Sequence, residues 1–299
     1  MAVATYKPQR SFFKSGREDS PFKRLIIHLV LILSCIIAVY PVARILTISL
    51  RPGDRVLSTD LRIIPQDATL TSYQQVLLGD PARKLKSDFF LWLWNSLLIT
   101  VTTAIIGLIL SSTAAYAFSR FKFPGRGAGL IFLLTTQMLP AAMLLLPLYF
   151  MLTRLGLINS YLGLIIAYSV SSVPFSIWIL KGYYDTVPPD LEEAAMIDGT
   201  SQLGAFYRVL LPLSTPALAI VFLFNFMSSW SEYIVARVVL QKAELYTWPL
   251  GLWTYAGQYT LAAGRFAAAS MLVAIPVMVL FLYSSKWLIG GLTLGGVKG

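Results

Sequence analysis

The chain holds one cysteine, one histidine and few charges. Charged residues make up 13% of its 299 positions, where a soluble domain carries about 25%. The single Cys35 rules out an intrachain disulfide and any cysteine-based metal cluster. With one His28 beside it, no convergent set of His, Cys, Asp and Glu exists for catalysis, so the chain does not read as an enzyme. His28 lies at the edge of an apolar run and reads as interfacial. No G-x-x-x-x-G-K-S/T pattern occurs, which excludes a phosphate-binding loop of that type. Acids are nearly absent from the apolar runs, which argues against an ion-coupled secondary transporter, whose titratable groups sit at mid-membrane.

What is abundant is apolar. Hydrophobic residues reach 57% with mean hydropathy +0.70, an excess that only lipid can solvate. A bilayer crossing needs ~20 mostly apolar residues, and six such runs appear at 22–50, 91–119, 128–152, 161–182, 215–236 and 266–289. The expected fold is all-α, a polytopic membrane protein with six transmembrane helices. No internal repeat pairs the first three runs with the last three. The basic segment before the first run (Lys7, Arg10, Lys14, Arg17, Lys23, Arg24) precedes an apolar stretch too long for a signal-peptide core, so it reads as a tail, 1–21, ahead of a retained span. That tail and the acid-free loop "SRFKFPGRG" (Arg120, Lys122, Arg126) place both termini in the cytoplasm by the positive-inside rule. The loop 51–90 is then external despite its own basic residues, because long loops translocate largely regardless of charge. The formal charge of +10 marks topology and lipid headgroups; the basic residues do not cluster with aromatics as a nucleic-acid surface requires. Trp92, Trp94 and Trp287 suit an interfacial belt, and Arg44 suits a snorkelling side chain. Pro41, Pro140, Pro147, Pro174, Pro216 and Pro276 interrupt the runs, either as ordinary transmembrane prolines or as the lining of a moving pore.

Between the fourth and fifth runs lies "PPDLEEAAMIDGTSQLGAFYRVLLPLSTP", acidic where a bare basic loop is expected. Asp190 can cap a first helix, with Glu193 at capping-box spacing. Gly199 supplies a left-handed stop after Asp198. Thr200 or Ser201 can cap a second helix that runs through Val209 and Leu210 until Pro212 ends it. The result is a hairpin, 188–212, presenting small side chains (Ala194, Ala195) and carboxylates (Glu192, Glu193, Asp198). Acids at an anionic membrane surface argue against a helix lying on lipid, which favours Lys and Arg. The acidic first helix and the membrane flanks argue against a helix–turn–helix reader of DNA. A soluble protein partner, its arginine gripping a carboxylate, fits best.

The spacing Glu193-Ala194-Ala195, Gly199, Val209, Leu211-Pro212 resembles the signature of permease subunits of binding-protein-dependent ABC importers, with Val where Ile is usual. "LWLWNSLLIT", "STAAYAFSRFKFPGRG" and "ILKGYYDTVPPDLEEAAMIDG" extend the resemblance to the carbohydrate branch. The tail "GGLTLGGVKG" is similar to that of the second permease subunit of maltose-type systems. The resemblance implies the type I importer permease fold and a coupling role for Glu192, Glu193, Ala194, Ala195, Asp198, Gly199, Leu211 and Pro212, with Glu193 the main anchor. It implies that the tail 290–299, through Gly295, Gly296, Val297 and Lys298, reaches the ATPase subunits. It implies an inner-membrane assembly of a prokaryote, with a second, non-identical permease, two ATPase subunits and an external sugar-binding protein. This chain itself would need no cofactor, since ATP and Mg would sit on the ATPase. Ser231 departs from the Asn common before the Glu in this branch. Glu232 and Asn225 are expected on the translocation path, although Glu232 could equally reach water at its span's outer end. The sugar stays open among maltose, maltodextrin, trehalose and other oligosaccharides, and a permease for another small solute is the alternative.

Overall fold

Backbone groups that meet hydrocarbon must find partners within their own segment, and every regular element among the described residues is helical. The computed structural model describes residues 21–53, 62–80, 86–256 and 262–295. The tail before Pro21, the loop stretches 54–61, 81–85 and 257–261, the Trp287 side chain, and Gly296, Val297 and Lys298 lie outside the described residues. In chain order, α1 (Pro21–Leu50) is followed by the short α2 (Thr71–Leu78) and the 32-residue α3 (Phe89–Arg120). Next come α4 (Arg126–Met138), α5 (Ala141–Arg154) and α6 (Tyr161–Tyr184). A hairpin then comprises α7 (Asp190–Ile197), α8 (Gln202–Ala205), a π turn (Phe206–Leu210) and α9 (Leu211–Leu213). The chain continues through α10 (Thr215–Trp230), α11 (Ile234–Val239), a 3-10 turn (Ala243–Leu245), α12 (Trp248–Trp253) and α13 (Ala263–Gly295).

Four of these helices, α1, α3, α6 and α13, are long and apolar enough to cross a membrane unbroken, and the count reaches six if each of two bent pairs is one span. The expected single helix 128–152 is one such pair. Leu139 adopts extended backbone ahead of Pro140, because the proline ring disfavours the helical region for the residue before it. The expected span 215–236 is also interrupted: α10 stops at Trp230 and α11 restarts at Ile234. At its other end, the helical stretch Gln202–Leu213 meets α10 at 79°. Pro41, Pro147, Pro174 and Pro276 stay inside helices. Pro216 sits in the first turn of α10, where a missing N–H removes no helical bond.

The centre is α3 packed against α6 and α10, with α13 beside α10 and α1 beside α13. Small side chains allow such close approach in a membrane, and α3 buries Ser96, Thr100, Thr103, Ala104, Gly107, Ser111 and Ala115. At Gly107 a Cβ would stand only 2.9 Å from Asn225 Nδ2. Trp92, expected in an interfacial belt, is instead buried. Its indole fills the space over Gly251, where any Cβ would overlap the ring, and it meets Tyr255 edge-on at 5.8 Å. Trp94 is the exposed one. Arg44, expected to snorkel, is half-buried with Nη1 shielded from solvent. Residues 21–42 of α1 are all exposed, so this helix is held by its far end, where Ser49 and Tyr73 share a 2.8 Å hydrogen bond.

Irregular backbone at the end away from the hairpin is satisfied by side chains, as buried amides and carbonyls require. Asn95 donates to the carbonyls of Glu244 and Tyr246 at 3.0 Å and accepts from the Tyr161 hydroxyl. Asn159 accepts from the amides of Gln241 and Lys242. At the opposite end, Phe206 and Leu210 of the hairpin pack with Leu180 and Tyr184 at the end of α6.

Candidate functional site

The hairpin is built largely by local rules. Helix α7 carries Asp190, Glu192 and Glu193 in its first turn, where the positive end of the helix dipole favours anions. Asp190 does not cap it, contrary to the sequence reading. Pro189 holds the cap position, and the Glu192 and Glu193 amides bond the Pro189 carbonyl at 2.9 and 3.1 Å. Helical backbone at Pro189 draws Asp190 into the helix, where its carboxylate no longer faces the first amides. At the other end Gly199 takes φ of 92°. Its amide bonds Met196 O and the Thr200 amide bonds Ala195 O, both at 3.1 Å, the pair of closures that ends a helix on a left-handed residue. Ser201 then caps α8 by accepting from the Gly204 amide at 3.1 Å.

Pro212 does not end the second helix. The preceding turn widens into a π turn, with the Leu211 amide on the Phe206 carbonyl. This i→i+5 bonding leaves room for a ring that would otherwise strike the carbonyl four residues back. The helix carries on to Leu213, and the Ser214 amide bonds Leu210 and Leu211 before the chain turns into α10.

Adjacent glutamates on a helix point about 100° apart, and here they part completely. Glu193 is exposed, with Ala194, Asp198 and Gly199. Ile197 is 86% exposed at the tip, and Leu191, Leu203 and Tyr207 join it. This knob thus mixes acids, small residues and exposed apolar side chains. Ala195 and Leu211 are half-buried and Pro212 is exposed. Glu192 is 4% exposed and faces inward. Its Oε1 accepts from Arg120 Nε at 2.7 Å, so the expectation that it contacts a partner is corrected.

Arg120, at the end of α3, is the partner of Glu192, a link that sequence reading missed, having taken Arg120 as a topology marker. Its Nη2 donates to the Val187 carbonyl at 2.9 Å and its Nη1 to Ser119 Oγ at 3.2 Å. Ser119 donates to Asp185 at 2.7 Å, and Asp185 is paired with Lys181. Burial alone would raise the Asp185 pKa, but hydrogen bonds from Lys181 and Ser119 and the charges of Lys181 and Arg126 hold it below the ordinary carboxylate value. The only hint in the sequence was that two consecutive acids on one helix cannot serve one partner equally.

The other expected residues lie elsewhere. Glu232 caps α11: Oε1 accepts from the Val235 amide at 2.8 Å and Oε2 from the Ala236 amide at 3.0 Å. The same Oε2 accepts from the Tyr168 hydroxyl. Asn225 is buried in the seam between α10 and α6, where its Oδ1 accepts from Ser176 at 2.8 Å. Gly295 is the last residue of α13.

Residues 104–292 match the family of binding-protein-dependent transport system inner membrane components. The maltose/maltodextrin transport system permease protein MalG of Salmonella typhimurium is 38% identical, over 94% of this chain and 98% of that protein. The galactooligosaccharides transport system permease protein GanQ of Bacillus subtilis is 36% identical, over 91% and 94%. In fold, the chain is similar to one from a bacterial ABC transporter involved in alginate import, with TM-score 0.73, 24% identity and coverage of 92% and 98%. With the family match spanning more than half its length and these relatives nearly all of it, the chain belongs to the binding-protein-dependent transport system inner membrane components.

Proposed function

We propose that this chain is a permease subunit of an ATP-driven importer of maltose, maltodextrin or a related oligosaccharide, in the plasma membrane of a prokaryote. It lacks a nucleotide site and works by alternating access, its hairpin seated on a separate ATPase subunit that holds ATP and Mg. A second, non-identical permease and an external sugar-binding protein complete the assembly. Hairpin and termini face the cytoplasm, and the loop 51–90 faces outward. The observation that carries this reading is the exposed knob of Glu193, Ala194, Ile197 and Gly199 on an otherwise apolar protein. The names of the two permease relatives support the sugar class. In the same reading, Gly295, Gly296, Val297 and Lys298 contact the ATPase.

The deciding experiment reconstitutes the chain with its partner permease, ATPase and binding protein, then asks which sugar stimulates ATP hydrolysis. Stimulation by a maltodextrin or related oligosaccharide is expected. Uptake into vesicles lacking both ATP and the ATPase subunit would overturn the reading. Glu193→Lys is expected to leave the chain inserted while weakening recovery of the ATPase with it; full recovery and uptake would remove Glu193 from the docking role.

A further inference from the structure

Glu192 and Arg120 form an enclosed ion pair, with side chains 5% and 11% exposed. Apolar contact between the hairpin (Phe206, Leu210) and the end of α6 (Leu180, Tyr184) holds it in place but sets no direction, because hydrophobic contact is non-directional. The guanidinium does set one. One planar fork touches three pieces of chain: Glu192 on α7, the Val187 carbonyl in the α6–α7 connection, and Ser119 on α3. Ser119 carries the network to Asp185, at the end of α6, and Asp185 to Lys181. The second helix joins through Tyr116 of α3: its ring lies 4.5 Å from Phe206, and its hydroxyl reaches the Gln202 carbonyl at 3.4 Å.

We propose that the Arg120–Glu192 pair is the joint through which displacement of the hairpin reaches α3 and α6, making Arg120 a positioning residue for transport. This rests on the hairpin docking to an ATPase. The outward glutamate meets the partner, and the inward one passes the motion on. A buried pair suits a joint, because separating it strands a charge in a dry site, so it stays closed through the cycle. Lysine cannot replace the arginine here, since a single ammonium lacks the fork that addresses three partners at once.

The test uses the complete reconstituted complex with Arg120→Glu, Glu192→Arg, their double exchange and Arg120→Lys. Three quantities are read: recovery of the ATPase subunit, basal ATP hydrolysis, and the ratio of hydrolysis with sugar-loaded binding protein to hydrolysis without it. Each single reversal is expected to keep the ATPase bound and basal hydrolysis running while uptake and the stimulation ratio fall about tenfold. The double exchange restores much of both, as coupled neighbours do. A purely structural role would lower the amount of complex and leave the ratio per complex unchanged. Wild-type ratios in the single reversals, or a loss in folded complexes that the double exchange leaves unrepaired, overturn the proposal. Where a reversal does not accumulate, Arg120→Lys decides: a reduced ratio supports the joint and an unchanged one overturns it. Failure of the unaltered chain to recover an ATPase would instead sink the docking reading.

Discussion

Tyr168 on α6 donates a 3.0 Å hydrogen bond to Glu232, the carboxylate that caps α11. One side chain thus satisfies two orphan amides and a buried hydroxyl where a membrane helix is interrupted. Replacing Glu232 with Ala is expected to cost about 1 kcal/mol for the cap, and a further ~1–3 kcal/mol for the stranded hydroxyl. Tyr168→Phe, which leaves the cap intact, is expected to cost about 1 kcal/mol. Thermal unfolding in detergent ranks the two, and equal losses would contradict the capping assignment.

Ser176 and Asn225 form an unequal pair. The serine hydroxyl has a second acceptor in the Ser172 carbonyl at 2.9 Å, whereas Asn225 Nδ2 is buried without a partner. Ser176→Ala therefore leaves the whole amide unsatisfied and is expected to cost about 1–3 kcal/mol. Asn225→Leu removes the unsatisfied group and is expected to be nearly neutral for stability. If Asn225 contacts solute, the Leu variant stays folded yet loses uptake; if it serves packing alone, uptake persists. Unfolding and transport measured on the same variants separate the two.

Gly199 has nothing within 4 Å of where its Cβ would stand, so only backbone strain opposes substitution. Gly199→Ala is expected to lose about 1–2 kcal/mol and Gly199→Asn less, since Asn tolerates the left-handed region. Recovery of the ATPase subunit with each variant should follow the same order, and an inverted order would place a contact at this position.

Asp185 gives the hairpin end a pH dependence. Its folded-state pKa is lowered, so the unfolded chain binds more protons in the acid range. Its contribution is full above the ordinary aspartate value of about 3.9 and fades as pH falls through the lower folded value. Asp185→Asn is expected to lower stability at neutral pH, to leave it little changed below the folded-state value, and so to flatten the acid limb of a stability–pH curve. The carboxylate is 41% exposed, so added salt is expected to shrink the difference. An acid limb unchanged in the variant would dismiss the network around Ser119 as a source of stability.

The long helices were readable because apolar length alone specifies a crossing, and Gly199 and Ser201 were readable because turn and cap chemistry is local. The interruptions were less so. A Leu-Pro step inside "QMLPAAMLLLPLYF" is indistinguishable in composition from the prolines that stay helical, since the surrounding packing decides which of them breaks. Trp92 reads as interfacial until Gly251, far along the chain, opens a space for its ring. Glu232 looks like a charge in lipid because its partners are the amides exposed where α11 begins. The inward turn of Glu192 needed the position of Arg120, which only the fold supplies.

The shortness of α10 has a consequence for how the chain crosses the membrane. Sixteen residues rise about 24 Å, against a hydrocarbon core of ~30 Å. On its own α10 therefore falls short of a full crossing. A crossing that uses α10 draws on a neighbouring segment across a break, and at such a break backbone groups need protein partners, as the Val235 and Ala236 amides have in Glu232.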